Sequence, residues 1–93
     1  MSRVRLVSAF DHAIAAVRML EAREVPTASG GSAASELARL LDELAAHRAE
    51  AAAGVPLDRE WAGRTVRSVA EWLPEGELPL LARLGGILRA ADA

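Results

Sequence analysis

The sequence contains no cysteine, lysine, asparagine, glutamine or tyrosine. Without cysteine, the chain forms no disulfide and offers no thiolate ligand to a metal. The absence of cysteine, lysine and tyrosine also removes three side chains that often act as nucleophiles or as general acids and bases. No apolar run approaches the roughly 18–20 residues that a membrane span needs. These absences argue against a disulfide-rich domain, a membrane-spanning protein and most kinds of enzyme.

The residues that are present favour helix. Alanine makes up about a fifth of the 93 residues, and all 11 positions that carry lysine or arginine are arginine. Alanine is the best helix former and arginine is nearly as good. β-Branched residues are few and scattered singly, without the alternating pattern of a strand. The length fits one domain, residues 1–93, so we predict a single all-α domain.

Apolar residues recur at helical spacing in four segments, and each segment has one apolar face. Such segments pack into a compact bundle of four amphipathic helices. A break near Ser8 in the first helix, or near His47 in the second, would give five or six shorter helices instead. The predicted helices run from about Val4 to Arg23, from Ser32 to just before Gly54, from the N-cap Asp58 to Leu73, and from Pro79 to Ala91.

The first two predicted helices are joined by residues 24–32, which read EVPTASGGS. Pro26 cannot continue a helix, and Gly30 and Gly31 are typical of a flexible coil. We therefore predict a flexible linker that spans roughly 15–18 Å, enough to close an antiparallel helix hairpin.

Two features of the later helices have more than one interpretation. Trp61 and Trp72 share one face of the third predicted helix, and a buried tryptophan removes roughly 200 Å² from water. This stripe belongs either to the core or to an interface. Gly85 and Gly86 lie inside the fourth predicted helix, where each costs about 1 kcal/mol relative to alanine. They indicate either a kink or a place where another backbone comes close.

A row of potential metal ligands lies on the second predicted helix. Glu43, His47 and Glu50 are spaced i, i+4 and i+7, as metal ligands in helical bundles can be. Such sites need matching ligands from facing helices, however, and this row lies on the polar flank. We expect a solvated face with a weak Glu43–His47 pair, and no metal. A metal-binding bundle or enzyme subunit that uses this row is a further alternative.

The sequence contains none of the motifs that commonly indicate catalysis or nucleotide binding. It has no nucleophile elbow, no phosphate-binding glycine loop and no nucleotide fingerprint. We therefore predict that the protein is not an enzyme and uses no cofactor.

Charged rows on the second and third predicted helices suggest a binding role. One row is acidic and the other is rich in arginine, and complementary faces of this kind let identical modules stack head-to-tail. Our leading prediction is a non-catalytic protein–protein interaction module, an adaptor or homo-oligomerisation domain whose partner is a second copy or another protein. In size and class alone it is similar to bacterial signalling and defence modules of the death-fold kind, an analogy that rests on no motif. The candidate partner-binding residues are Glu36, Glu43, Glu50, Arg59, Arg64 and Arg67.

A small DNA-binding regulator is the second hypothesis. The helix predicted over residues 58–73 contains AGRTVRSVAEWL, which could serve as a recognition helix. Glu60 and Glu71 interleave with its arginines and the formal net charge is -2, whereas phosphate binding draws on clustered, uncompensated positive charge. Nucleic acid is therefore the less favoured partner.

The tripeptide Trp61-Ala62-Gly63 resembles the motif of the small helical WXG-type secretion substrates. The resemblance covers these three residues alone. In that family the tripeptide marks the bend of a two-helix hairpin, and an export signal with a tyrosine lies near the C-terminus. Here the tripeptide falls inside a predicted helix and the chain has no tyrosine. A WXG-like secreted helical protein is kept as an alternative function.

The beginning of the chain does not match a secretory signal. Arg3 and Arg5 supply positive charge, but Ser8, Asp11 and His12 interrupt the apolar stretch that such a signal requires. We therefore expect a cytoplasmic protein without membrane association.

Overall fold

The computed structural model describes residues 3–92, and within them it contains four α-helices and no β-strand. A short 3-10 turn, Glu75–Glu77, precedes the last helix. The predicted all-α bundle of four helices is confirmed, and the first two helices run without the breaks that would have made five or six. The helices are α1 (Arg3–Arg23), α2 (Ala34–Ala52), α3 (Arg59–Trp72) and α4 (Leu78–Asp92).

The helices begin close to the predicted capping residues. Asp58 caps α3, because its side chain accepts a hydrogen bond from the Trp61 N–H at 3.0 Å. The second helix begins at Ala34, two residues after Ser32. The Ser32 hydroxyl accepts a hydrogen bond from the Ala34 N–H at 3.2 Å, so this serine stabilises the start of α2 from just outside it.

The helices pack around α1, which contacts both α2 and α4, while α3 packs against α4. Arg23, the last residue of α1, forms an ion pair at 2.6 Å with Glu77, just before α4, so α1 and α4 are antiparallel neighbours. Among the described residues, no Cα of α2 lies within 8 Å of a Cα of α3. The order around the bundle is therefore α2, α1, α4, α3, with an open edge between α3 and α2.

The core is apolar throughout the described part of the chain, where no polar or charged residue is classed as buried. Its centre is Phe10, which is 0% exposed. Aliphatic side chains from α1, α2 and α4 surround this ring, as the helical spacing of the sequence predicts. The largest of these fully buried side chains are Leu6, Val17, Leu37, Leu44, Leu80 and Ile87.

The segment that joins α1 to α2 is held by backbone hydrogen bonds. An antiparallel bridge pairs Pro26 with Ser32, and the Thr27 N–H donates to the Gly31 carbonyl at 2.6 Å. The Ala28 N–H donates to the Trp72 carbonyl at 2.7 Å, which places the segment against the end of α3. The predicted flexibility of residues 24–32 and the domain bounds 1–93 stay predictions.

The two glycines of α4 lie beneath an arginine side chain of the same helix, an arrangement that the sequence did not indicate. The helix runs through Gly85 and Gly86 without interruption, and the nearest atoms to a Cβ at either position belong to the guanidinium of Arg89. That side chain lies along the glycines and donates to the Ala82 carbonyl at 3.2 Å. Of the two interpretations, a kink or a close backbone neighbour, the second is not found at these positions, since a side chain of the same helix occupies the space.

Candidate functional site

A groove of about 470 Å³ lies along the open edge where α2 and α3 diverge. It has an apolar floor, to which α2 contributes the buried Leu40 and α3 contributes the buried Trp61 and the half-buried Trp72. Charged and hydroxyl side chains form its two walls. The full lining is Glu36, Arg39, Leu40 and Glu43 from α2, with Trp61, Arg64, Thr65, Ser68 and Trp72 from α3.

Trp61 connects the two walls through its side chain. Its indole Nε1 donates to Glu43 Oε1 at 2.9 Å, and its ring stacks on the His47 imidazole, with centroids 3.7 Å apart and an angle of 18° between the planes. The other contact of this ring is Phe10 in the core, at 6.2 Å between centroids. Trp61 is only 7% exposed, so this end of the tryptophan stripe belongs to the core.

The contacts of Trp61 change the interpretation of the row on α2. Glu43 and His47 are both half-buried, and the structure gives each of them a contact with the indole instead of the expected contact with each other. Only Glu50 is exposed as a solvated face requires. Within residues 3–92, no group of three or more histidine or acidic side chains is placed to hold a metal ion.

Glu36 carries the most unusual polar atom of the groove. Its Oε2 is buried and has no hydrogen-bond partner in the part of the chain that the structure describes. Such atoms are rare, because losing the hydrogen bonds of water costs free energy unless another donor replaces them. The neighbouring Arg39 instead pairs with Glu43, at 3.5 Å, and its side chain is 84% exposed.

The structure brings together some of the predicted partner-binding residues and separates others. Glu36, Glu43 and Arg64 line the same groove, whereas Glu50, Arg59 and Arg67 lie outside it. The acidic and the arginine-bearing rows were expected to form separate faces for stacking. Three of their members face each other within one molecule instead, because α2 and α3 stand on either side of the open edge.

The arginines of α3 are partly compensated by carboxylates. Arg59 pairs with Asp92 at the end of α4, and Arg64 lies 3.7 Å from Glu60. These pairs reduce the positive field that a phosphate backbone would need. DNA binding through this helix stays a prediction that no contact in the structure favours.

The tripeptide Trp61-Ala62-Gly63 lies near the start of α3, inside a continuous helix. It therefore does not mark the bend of a helix hairpin, which is the position that the WXG resemblance implies. Separately, no helix among residues 3–92 combines the length and the apolar character that crossing a bilayer requires.

A second groove, of about 380 Å³, lies between α1 and α4 and was not predicted from the sequence. Its cationic residues come from opposite ends of the chain and meet only because the two helices are antiparallel. In the sequence, these residues are marked only by their position at the edge of the apolar face of each helix. In a single helix, that position is a weak indication of a groove. The lining consists of Val4, Arg5, Ser8, Ala9, His12, Ala82, Arg83, Gly86 and Arg89.

Comparison of the chain with protein-family models, with curated proteins and with solved structures finds no match. The fold and its surface define the protein as a small helical bundle with one open edge. Its function is therefore inferred from the arrangement of its own residues.

Proposed function

We propose that this protein is a helical protein–protein interaction module that binds an amphipathic helix of a partner protein in the groove between α2 and α3. The observation that carries the proposal is the open edge of the bundle. There the two helices diverge and leave Trp72 only partly covered between charged walls. Helix-in-groove binding uses this arrangement, in which the apolar face of the ligand helix replaces a missing neighbour.

The floor of the groove provides an anchor for an apolar side chain. Trp72 is half-buried and lines the same groove as the buried Leu40 and Trp61. Tryptophan is enriched among the residues that dominate binding free energy, because it buries a large area with few rotatable bonds. A leucine or phenylalanine of the partner helix would pack here and remove the remaining exposed area of Trp72 from water.

The walls of the groove specify the charges of the partner. The Glu36 carboxylate lines one wall and favours an arginine or lysine of the partner, since a charge-assisted hydrogen bond is stronger than a neutral one. On the opposite wall, the Arg64 side chain is 62% exposed and favours an acidic residue. We infer a partner helix with an apolar stripe, a basic side chain on one flank and an acidic side chain on the other.

The proposal includes no catalytic step. The Thr65 hydroxyl, on one wall of the groove, donates a hydrogen bond to the Trp61 carbonyl at 2.8 Å. This hydroxyl is therefore bound within its own helix. Within residues 3–92, no hydroxyl of the groove is hydrogen-bonded to a histidine or a carboxylate, as activation of a nucleophile would require. These contacts support a role in recognition.

The two tryptophans allow the proposal to be tested directly. They are the only tryptophans in the chain, and both line the groove. Helical peptides selected from a display library against the protein should shift tryptophan emission to shorter wavelength, because Trp72 loses water. The selected sequences should share the flanking basic and acidic positions described above.

A pair of matched variants distinguishes the groove from the rest of α2. Ser68→Arg places a long charged side chain in the groove wall, whereas Ala45→Arg places the same side chain on exposed surface outside it. We expect Ser68→Arg to weaken binding of the selected peptides at least about tenfold, and Ala45→Arg to leave it unchanged. Equal binding by both variants, or peptides that leave tryptophan emission unchanged, would show that the groove is not the binding site.

A further inference from the structure

The groove between α1 and α4 is cationic. Arg5, Arg83, Arg89 and His12 line it, and no carboxylate is among its lining residues. Arg83 is exposed and makes no ion pair or hydrogen bond within the described residues, and Arg89 is exposed with its guanidinium above the two glycines. The two arginines of α4 are six residues apart, which is about 9 Å along the helix axis.

The floor of this groove is made of small side chains. Ala9 of α1 faces Ala82 and Gly86 of α4 across it. The Arg89 guanidinium lies over Gly86, so an arginine forms this part of the groove surface. The groove contains no aromatic ring on which a base or nucleotide could stack.

An acidic surface lies at one end of the same bundle, at the C-terminus of α1 and the turn before α4. The Arg23–Glu77 ion pair joins these two segments and neutralises their charges. Glu21, Glu24 and Glu75 remain there without an ion pair in residues 3–92, and the last two are exposed. We call this set of three carboxylates the acidic end.

We propose that the α1–α4 groove of one copy binds the acidic end of a second copy. The two surfaces are of opposite charge and share no residue, so a molecule can use both at once. Such a contact makes a two-fold dimer when two copies use it reciprocally, and a ring or a head-to-tail chain when each copy binds a different neighbour. This self-association uses surfaces other than the α2–α3 groove and does not depend on the proposed partner helix.

A second copy fits the groove better than a long polyanion such as nucleic acid. The chain has a formal net charge of -2, so the surface outside the basic groove is acidic on balance. A long polyanion would extend beyond the groove toward this repelling surface, whereas the acidic end carries only three carboxylates. The two arginines of α4 are about 9 Å apart along the helix axis, close to one Debye length at ~0.1 M salt, so the groove attracts opposite charge over a short range.

The test is sedimentation velocity across a range of protein concentrations at low and high salt. We expect association at low salt that grows with concentration, and its loss near 1 M salt, where the Debye length falls to about 3 Å. A monomer at every salt and protein concentration would overturn the proposal. Binding of the protein to a duplex or to anionic vesicles without self-association would overturn it as well, in favour of another anion.

Charge reversal identifies the two surfaces. Arg83→Glu in the groove and Glu75→Arg at the acidic end should each weaken association about tenfold or more, because each places like charges opposite each other. Arg18→Glu, on exposed α1 surface outside the groove, and Glu50→Arg, on exposed α2 surface, are the matched controls. Circular dichroism confirms that each variant keeps its helices.

Mixing the variants gives the most specific result. A mixture of Arg83→Glu and Glu75→Arg still contains one intact pair of surfaces. The groove is unchanged in Glu75→Arg, and the acidic end is unchanged in Arg83→Glu, so these two surfaces can still bind each other. In the other pair both charges are reversed and therefore opposite again, so we expect the mixture to form heterodimers and to recover the association that each variant loses alone. Equal weakening by the control variants, or no heterodimer in the mixture, would mean that net charge and not these two surfaces governs association.

Discussion

Trp61 belongs to the core and to the groove at once. Its ring is 7% exposed and lies against Phe10 and His47, while its Nε1 is bound to Glu43. The residue therefore carries most of the contact between α3 and α2, whose backbones do not meet.

Trp61→Ala is expected to lower the free energy of unfolding by about 3–5 kcal/mol, because a large buried ring would leave a cavity. Trp61→Phe keeps an aromatic ring but removes the hydrogen bond to Glu43, and it should cost less. Urea unfolding followed by circular dichroism measures both. An unchanged midpoint for the alanine variant would show that the ring is not part of the core.

The Asp11–Arg48 ion pair gives a prediction for acid pH. A hydrogen bond from Arg48 Nε at 2.6 Å lowers the pKa of the Asp11 carboxyl below its ordinary value of 3.8. Because the folded-state pKa is the lower one, the pair stabilises the fold above the ordinary pKa, and this contribution is lost as the pH falls through the lowered value. The effect is small, since both side chains are largely exposed.

Asp11→Asn is the variant that isolates this pair. We expect it to be slightly less stable than the natural protein at pH 7, and the difference to shrink at an acid pH below the ordinary value of 3.8, as the natural carboxyl takes up a proton. Parallel urea titrations at the two pH values provide the comparison. A difference that persists unchanged at the acid pH would show that the charge of Asp11 is not its cause.

Helix α4 gives a prediction about its glycines. A Cβ at Gly86 would lie 3.6 Å from the Arg89 guanidinium, whereas at Gly85 the distance is 3.3 Å. Gly86→Ala should therefore raise the free energy of unfolding by about 1 kcal/mol through helix propensity. Gly85→Ala should raise it less, because the exposed end of Arg89 must first move. Thermal melts compare the two, and destabilisation by Gly86→Ala would contradict the expected free space.

The helices follow from the sequence much more closely than the site does. Apolar spacing and Asp58 fix where the elements lie, since these signals act within one or two turns of chain. The open edge depends instead on how α2 and α3 diverge after they pack, and spacing within one helix carries no information about that angle. For the same reason Glu43 and His47 were assigned to solvent, although Trp61 from another helix covers them.

The cationic groove could not be predicted from the spacing of residues within one helix either, because its residues come from two helices far apart in the sequence. Arg5 and Arg83 lie at opposite ends of the chain and line one groove only because α1 and α4 are antiparallel. The sequence did suggest that oppositely charged surfaces exist, but it placed them on α2 and α3. The structure gathers three arginines between α1 and α4, whereas two of the arginines of α3 have carboxylate neighbours.

For the whole molecule, the order of the helices places the two grooves on opposite sides of the bundle. The α1–α4 groove lies across the ring from the open α2–α3 edge. A module of this shape has room to bind a partner helix on one side and a second copy through the other. Both proposed interactions are compatible with an adaptor, and each has variants that leave the other surface intact.

The affinity of a selected partner helix for the Trp72→Ala variant tests the central claim most directly. Trp72 is half-buried and lines the groove, so its removal should weaken binding about tenfold or more, while stability falls less than in Trp61→Ala. Titration calorimetry on the folded variant measures this affinity. An affinity equal to that of the natural protein would contradict the claim that the open edge between α2 and α3 is where the partner binds.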